Sequence, residues 1–166
     1  MSSIQHRPFA SADQKTGNIY RPFTIDDHTG LIELWNRAGL PCRPNGRDSS
    51  KSMAIELGLD TDESRPVSGR LILAIAGDNI VGSVLATSDG RKGWINRLAV
   101  APKFRHRGLA TVLIEKAEKY LHSLGIKITT CLIESENQAS ISLFQKAGYV
   151  LHNDIFCLSK RESSDV

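Results

Sequence analysis

The spacing of apolar residues changes along the chain, and each change marks an element. Residues 1–17 are polar without periodicity and read as a flexible tail, and 19–22 read as a short strand. Thr24-Ile-Asp-Asp27 has the form of a capping box with Asp in the acidic position, and Leu31, Leu34, Trp35 and Ala38 follow at helical spacing. Gly39 and Pro41 end that helix; 42–46 reads as a loop, 49–59 as a second helix, and 60–69, which holds Pro66, as another loop. Two β-type runs, 70–76 and 79–87, are joined by Gly77-Asp78 as a hairpin. Asp89-Gly90 turns the chain into a third apolar run, 94–100, which Pro102 stops ahead of the basic loop 103–107.

From Gly108 the period becomes helical again. Leu109, Val112, Leu113, Lys116/Ala117, Tyr120, Leu121 and Leu124 share one face, and Gly125 stands where a helix C-terminus places glycine. Residues 126–133 are β-branched and read as a strand, and 139–147 as a helix with Ile141, Leu143, Phe144 and Ala147 inward and Gly148 closing it. Final strands are expected at 149–151 and 155–158, with 161–166 a solvated end. The expected fold class is α/β, a mixed sheet of about six to seven strands flanked by about four helices, in one domain spanning 18–160.

A chain of 166 residues suffices to bury such a core without disulfide or metal. Cys42, Cys131 and Cys157 are odd in number and widely spaced, with no CxxC or Cys/His cluster, so no zinc site is expected and cytoplasmic thiols are. No apolar run is long enough to cross a bilayer, and the first residues lack the apolar core of a secretory signal. The formal charge of +3 suits an anionic ligand but is too small to argue for nucleic acid, and no aromatics are interleaved with the basic loop as an RNA-binding sheet requires.

Arg105, His106, Arg107, Gly108, Leu109 and Ala110 lie where an apolar strand ends and a long helix begins. The first amides of a helix have no intrahelical partner and carry partial positive charge, so they favour phosphate. Gly108 lets backbone approach an anion, Ala110 leaves the approach clear, and Lys103 adds charge. The segment reads as a diphosphate cradle, or else as a solvated basic turn closed by a glycine. GxxxxGK[ST], GxGxxG, GxSxG and HExxH are all absent, which removes the commonest nucleotide-site, hydrolase and zinc-protease readings.

With these residues in view, the chain resembles the GNAT superfamily of acetyl-CoA-dependent N-acetyltransferases. Leu98-Ala99-Val100 resembles the end of its central bulged strand, and Ala101-Pro102-Lys103-Phe104 the connection that follows. Arg105-x-x-Gly108-x-Ala110 resembles its pyrophosphate signature, and Asn137-Gln-Ala-Ser140 through Phe144 to Gly148-Tyr149 its downstream segment. The resemblance covers about 19–158 and is greatest to small stand-alone bacterial members, including those related to the ribosomal-protein alanine acetyltransferases.

What the resemblance implies is specific. Backbone groups of Leu98, Ala99 and Val100 would pair with the pantetheine arm of acetyl-CoA, and one N–H there would polarise the thioester carbonyl. Amides from Arg105 to Ala110 and Thr111 would hold the diphosphate, and the thioester would lie where strands 94–100 and 126–133 splay apart. Asn137, Ser140 and Phe144 would border the pantetheine, although Asn137 is equally a plain N-cap. The acceptor would be a primary amine of a small molecule or peptide, met by a monomer or homodimer, with no metal, nucleic acid or membrane involved.

The sequence departs from the family where protons move. Phe144 stands where many members have a tyrosine acid, which favours core packing for it. Residues 94–97 carry no acid, and the glutamate of the alanine acetyltransferases falls on Leu132. Glu134, expected at the end of strand 126–133, is the candidate base, against a plain solvated charge; Tyr149 and Tyr120 are candidate proton donors. A non-catalytic acyl-CoA-binding module is the alternative.

Overall fold

The computed structural model describes residues 11–13, 16–60, 67 and 69–160. Six strands lie in one sheet in chain order: β1 Ser11–Ala12, β2 Ile19–Pro22, β3 Gly69–Ala76, β4 Asn79–Ser88, β5 Gly93–Val100 and β6 Thr129–Thr130. Each pairs antiparallel with the next except β5 and β6, which run parallel. The helices are α1 His28–Ala38, α2 Ser50–Glu56, α3 Leu109–Ser123 and α4 Gln138–Lys146. This is the expected mixed α/β class. β1 falls within the stretch read as a tail, whose first ten residues lie outside the described ones, as do 61–66 of the loop at 60–69 and the end at 161–166.

The centre is the hairpin and its continuation, β3–β4–β5, whose residues supply much of the core, including Leu73, Val84 and Ile95. Successive residues of a strand face opposite sides of the sheet. At Gly82–Ser83 this alternation sorts the helices. A Cβ on Gly82 would stand 2.9 Å from Leu113 of α3, so glycine lets that helix lie close. Ser83 faces the other way and bonds Trp35 of α1. α1 and α3 therefore cover opposite faces, each by the apolar stripe its sequence shows: Leu31, Leu34 and Trp35 on α1, and Leu109, Val112, Leu113, Ala117 and Leu121 on α3. Leu124 ends just beyond α3 and is exposed instead.

The chain's second half departs from expectation. The strand read over 126–133 is only Thr129–Thr130, and no strand forms at 149–151 or 155–158. A β-branched run favours extended backbone, but a strand exists only where an edge pairs with it. The edge of β5 meets this run only at Gly93 and Trp94. Val150, Ile155, Phe156 and Leu158 carry the apolar pattern of a strand yet stand exposed.

Candidate functional site

The basic loop has the geometry of an anion seat. β5 leads through a 3-10 turn at Pro102–Phe104 into Arg105, and Gly108 caps α3 with φ of 81°. That left-handed value favours glycine, and nothing lies within 4 Å of where a Cβ would project. His106 also has positive φ, at 61°. The first bond leading into α3 runs from Val112 N–H to the Gly108 carbonyl, so Leu109, Ala110 and Thr111 have no carbonyl one turn back within the helix. Lys103, His106 and Arg107 are exposed around this mouth, and no carboxylate occurs from 103 to 111. Amides without a partner inside the helix, a helix dipole, an open glycine and a basic rim free of carboxylates fit a diphosphate.

Arg105 does something other than add charge. Its guanidinium donates to the carbonyl of Ala38 at the end of α1 (2.9 Å) and of Val100 at the end of β5 (3.3 Å). It fastens the loop to the ends of α1 and β5, while Arg107 lies over the Phe104 ring at 5.4 Å.

Next to the loop, β5 is left open. Its ladder with β6 stops after Trp94 and Thr130, so among the described residues 95–100 faces no strand on that side. On its other side β5 carries a bulge: Leu85 pairs with Asn96 and Ser83 with Ala99, which sets Arg97 and Leu98 against the single residue Val84. Arg97 takes the strain, with φ of 51°, a conformation that costs a side chain about 1–2 kcal/mol.

A buried network holds that residue in place. Trp35 Nε1–H donates to Ser83 Oγ (2.9 Å), and Ser83 Oγ–H donates to the Arg97 carbonyl (2.9 Å). The Arg97 guanidinium lies over the Trp35 ring at 4.7 Å and donates to the Asp48 carboxylate and the Pro41 carbonyl, both at 2.6 Å. Asp48 also accepts from the Arg43 N–H at 2.7 Å. Sequence reasoning did not foresee this cluster. Its one signal is Asn96-Arg97, two consecutive polar residues that break an apolar strand where the bulge forms.

The network borders a cavity of about 300 Å³ between α1, α2 and the sheet. Trp35, Met53, Leu71 and Leu85 line its apolar part; Asp48, Glu56, Asn96 and Arg97 are among its polar groups. Glu56 stands on its rim, exposed as a residue, but partial removal of its carboxylate from water raises its pKa above the ordinary 4.5. The charge of Asp48 raises it further, while Arg97 and Arg47 oppose the shift.

The remaining expected residues are more dispersed. Leu98 and Val100 are half-buried and Ala99 buried, beside the open edge of β5. Asn137 caps α4 by accepting from the Ser140 N–H at 3.1 Å, the plain structural role weighed for it. Phe144 is buried with its ring edge-on to Tyr149 at 5.0 Å, in keeping with core packing. Glu134 does not close a strand; it is exposed ahead of a turn, and its carbonyl accepts the Asn137 N–H. Tyr149 donates to Glu118 on α3 at 2.8 Å, and burial, then that bond, raise its phenol above the ordinary 10.0. Tyr120 lies under the Arg70 guanidinium at 4.3 Å.

A model of the acetyltransferase (GNAT) family matches residues 30–149. An acetyltransferase of Sodalis glossinidius is 32% identical over 145 residues, covering 87% of this chain and 96% of its own length. One of Pectobacterium atrosepticum is 34% identical over the same shares. Among solved structures, the PaiA N-acetyltransferase of Thermoplasma acidophilum in complex with coenzyme A superposes with a TM-score of 0.68 at 19% identity, over 80% of this chain and 89% of its own. AAC(6')-Iy with a bisubstrate analogue, CoA-S-monomethyl-acetylneamine, gives 0.68 at 19% identity, over 86% and 97%. Among the described residues no helix is long and apolar enough to cross a membrane, and no group of three or more His, Cys, Asp or Glu could hold a metal ion.

Proposed function

This chain belongs to the acetyltransferase (GNAT) family and is an acetyl-CoA-dependent acyltransferase, and on that premise we propose that its acceptor is a primary amine of a small molecule or peptide. The observation that carries the reading is the pairing of an anion seat at Gly108 with an open strand edge and a cavity lined partly by β5. Acetyl-CoA supplies the acetyl group as a thioester. Amides of residues 105–111, with Lys103, His106 and Arg107 around them, seat its diphosphate, and the backbone of Leu98, Ala99 and Val100 receives the pantetheine arm as a strand edge receives a peptide. Asn137 and Ser140 flank that arm, and Phe144 backs it without giving a proton. Holding donor and amine together contributes about 7–11 kcal/mol through effective molarity, so transfer proceeds without the family's tyrosine. Glu134 was the base foreseen from sequence, and it keeps that role only if it swings from its turn toward the opening. The amine reading draws support from AAC(6')-Iy, an aminoglycoside N-acetyltransferase whose bisubstrate analogue is CoA-S-monomethyl-acetylneamine. Three unpaired cysteines suit a cytoplasmic setting.

The test is thiol release from acetyl-CoA against a panel of primary amines, with coenzyme A binding measured beside it. Turnover on a primary amine supports the reading. Tight coenzyme A binding without turnover on any amine favours the non-catalytic acyl-CoA-binding module instead.

A further inference from the structure

Among the described residues, two that are not glycine have positive φ, Arg97 at 51° and His106 at 61°, and both lie in the stretch assigned to acetyl-CoA. Backbone in that region persists only where its surroundings over-determine it, and such residues gather where a site needs a group aimed. His106 belongs to the turn that opens α3. Arg97 belongs to the bulge, and an arginine has no intrinsic preference for the left-handed region, which favours glycine and asparagine.

We propose that Arg97 is a positioning residue for acetyl transfer, its clamped side chain holding the bulge so that the Leu98 N–H is aimed at the thioester carbonyl. The proposal rests on the reading above, in which Leu98, Ala99 and Val100 receive the acyl-bearing arm. Three observations carry it. First, the direction of the amide follows from its carbonyl. Ser83 Oγ–H donates to the Arg97 carbonyl at 2.9 Å, so that oxygen points toward β4. The peptide that follows Arg97 is trans, and in a trans peptide the N–H points opposite to the carbonyl. The Leu98 N–H is therefore turned away from β4, toward the side on which 95–100 faces no strand among the described residues.

Second, the side chain is gripped outside the sheet. The guanidinium bonds the Pro41 carbonyl and the Asp48 carboxylate, both at 2.6 Å, lies over the Trp35 ring at 4.7 Å, and is 13% exposed. Pro41 and Asp48 stand in the loop between α1 and α2, and that loop is itself fixed. Asp48 accepts from the Arg43 N–H at 2.7 Å, and its carbonyl lies 2.9 Å from His28 Nε2 on α1. Third, the far end of the same strand edge is tied to the same helix, because Arg105 bonds both the Val100 and the Ala38 carbonyls. Leu98–Val100 is thus pinned toward α1 from both ends.

The consequence is chemical. When an acceptor adds to the thioester, the carbonyl oxygen takes up negative charge until the C–S bond breaks and the thiolate departs. A donor already aimed at that oxygen stabilises the charge without reorganising, and losing one such donor costs about 10²–10³-fold in rate. The strained turn at Arg97 keeps the amide out of the ladder with β4. Without the guanidinium clamp the backbone relaxes and the amide turns away.

The experiment uses a ketone analogue of acetyl-CoA in which a methylene replaces the sulfur, isotopically labelled at the carbonyl carbon, so that nothing is transferred and no acceptor is needed. Isotope-edited infrared spectra of the bound analogue read the hydrogen bond to its carbonyl, and calorimetry reads its affinity. The proteins compared are wild type, Arg97→Gly, Arg97→Lys and Asp48→Asn. The carbonyl band should lie lowest in wild type and rise in Arg97→Gly, whose backbone tolerates the turn but lacks the clamp. It should rise less in Arg97→Lys and Asp48→Asn, which keep part of the clamp, while affinity changes little in all three. Should Arg97→Gly fail to fold, the two milder variants carry the comparison. A band at one frequency in every protein that binds, or a fall in affinity with the band unmoved, overturns the proposal and leaves the coenzyme site standing. Failure of wild type to bind the analogue removes the underlying reading and this one with it.

Discussion

Removing one oxygen atom at Ser83 should destabilise the protein far more than its size suggests. Ser83 is fully buried, and its hydroxyl accepts from Trp35 while donating to the Arg97 carbonyl. Ser83→Ala leaves one buried donor and one buried acceptor without partners. Each such group costs about 1–3 kcal/mol, so the expected loss is about 2–6 kcal/mol. At about 2–4 °C per kcal/mol for a domain of this size, Tm should fall by roughly 4–24 °C. Urea and thermal denaturation read that loss. A double-mutant cycle with Trp35→Phe shows where it comes from, because once Ser83 is gone the indole N–H is already orphaned and removing it should cost little. The cycle should give a coupling of at least about 1 kcal/mol. Activity should fall as well, since the same hydroxyl holds the bulge next to Leu98, and a misplacement of about 1 Å can cost 10²-fold in rate. A Ser83→Ala protein within about 0.5 kcal/mol of wild type, or additive single and double mutants, would refute the network as the support of the bulge.

Three further outcomes follow from the geometry. Gly108→Ala meets no steric obstacle but places a Cβ in left-handed backbone, at about 1–2 kcal/mol; coenzyme A should bind about tenfold more weakly, and an unchanged Kd would show that the turn does not seat it. Arg21 bonds Asp27 at 2.6 and 2.7 Å and so holds its carboxyl below the ordinary 3.8. A carboxyl lower in the folded than the unfolded chain stabilises above the unfolded value, and that stabilisation is lost as pH falls through the folded one. Asp27→Asn should therefore flatten the decline of the urea midpoint below about pH 4, and an unaltered acid limb would count against the pair. Tyr149→Phe should lower stability by about 1 kcal/mol with kcat kept, because the hydroxyl is committed to Glu118; a kcat loss of tenfold or more would make it the proton donor after all.

Local pattern carried most of the first 125 residues. The stripes of α1 and α3, the Gly77-Asp78 hairpin and the glycines closing α1 and opening α3 depend on neighbours a few positions apart, and those choices survive into the fold. The anion seat was legible for the same reason: orphan amides at a helix mouth, a glycine and adjacent cations are all encoded within seven residues. Beyond Gly125 local preference was not enough. Residues 126–133 and 149–158 have β-type composition, but whether they become strands depends on an open edge in register, and β5 offers one only at Gly93 and Trp94.

The groups around the cavity were out of reach for a different reason. Trp35, Asp48, Ser83 and Arg97 span 62 positions of sequence and meet only because α1, β4 and a bulge in β5 converge on one face of the sheet. Nothing at any one of them announces a partner. Sequence by itself determined the glycine-capped helix mouth at Gly108, because that feature is built from contiguous backbone. Only tertiary structure decided the cavity beside the bulge, where side chains from distant segments are held together by burial.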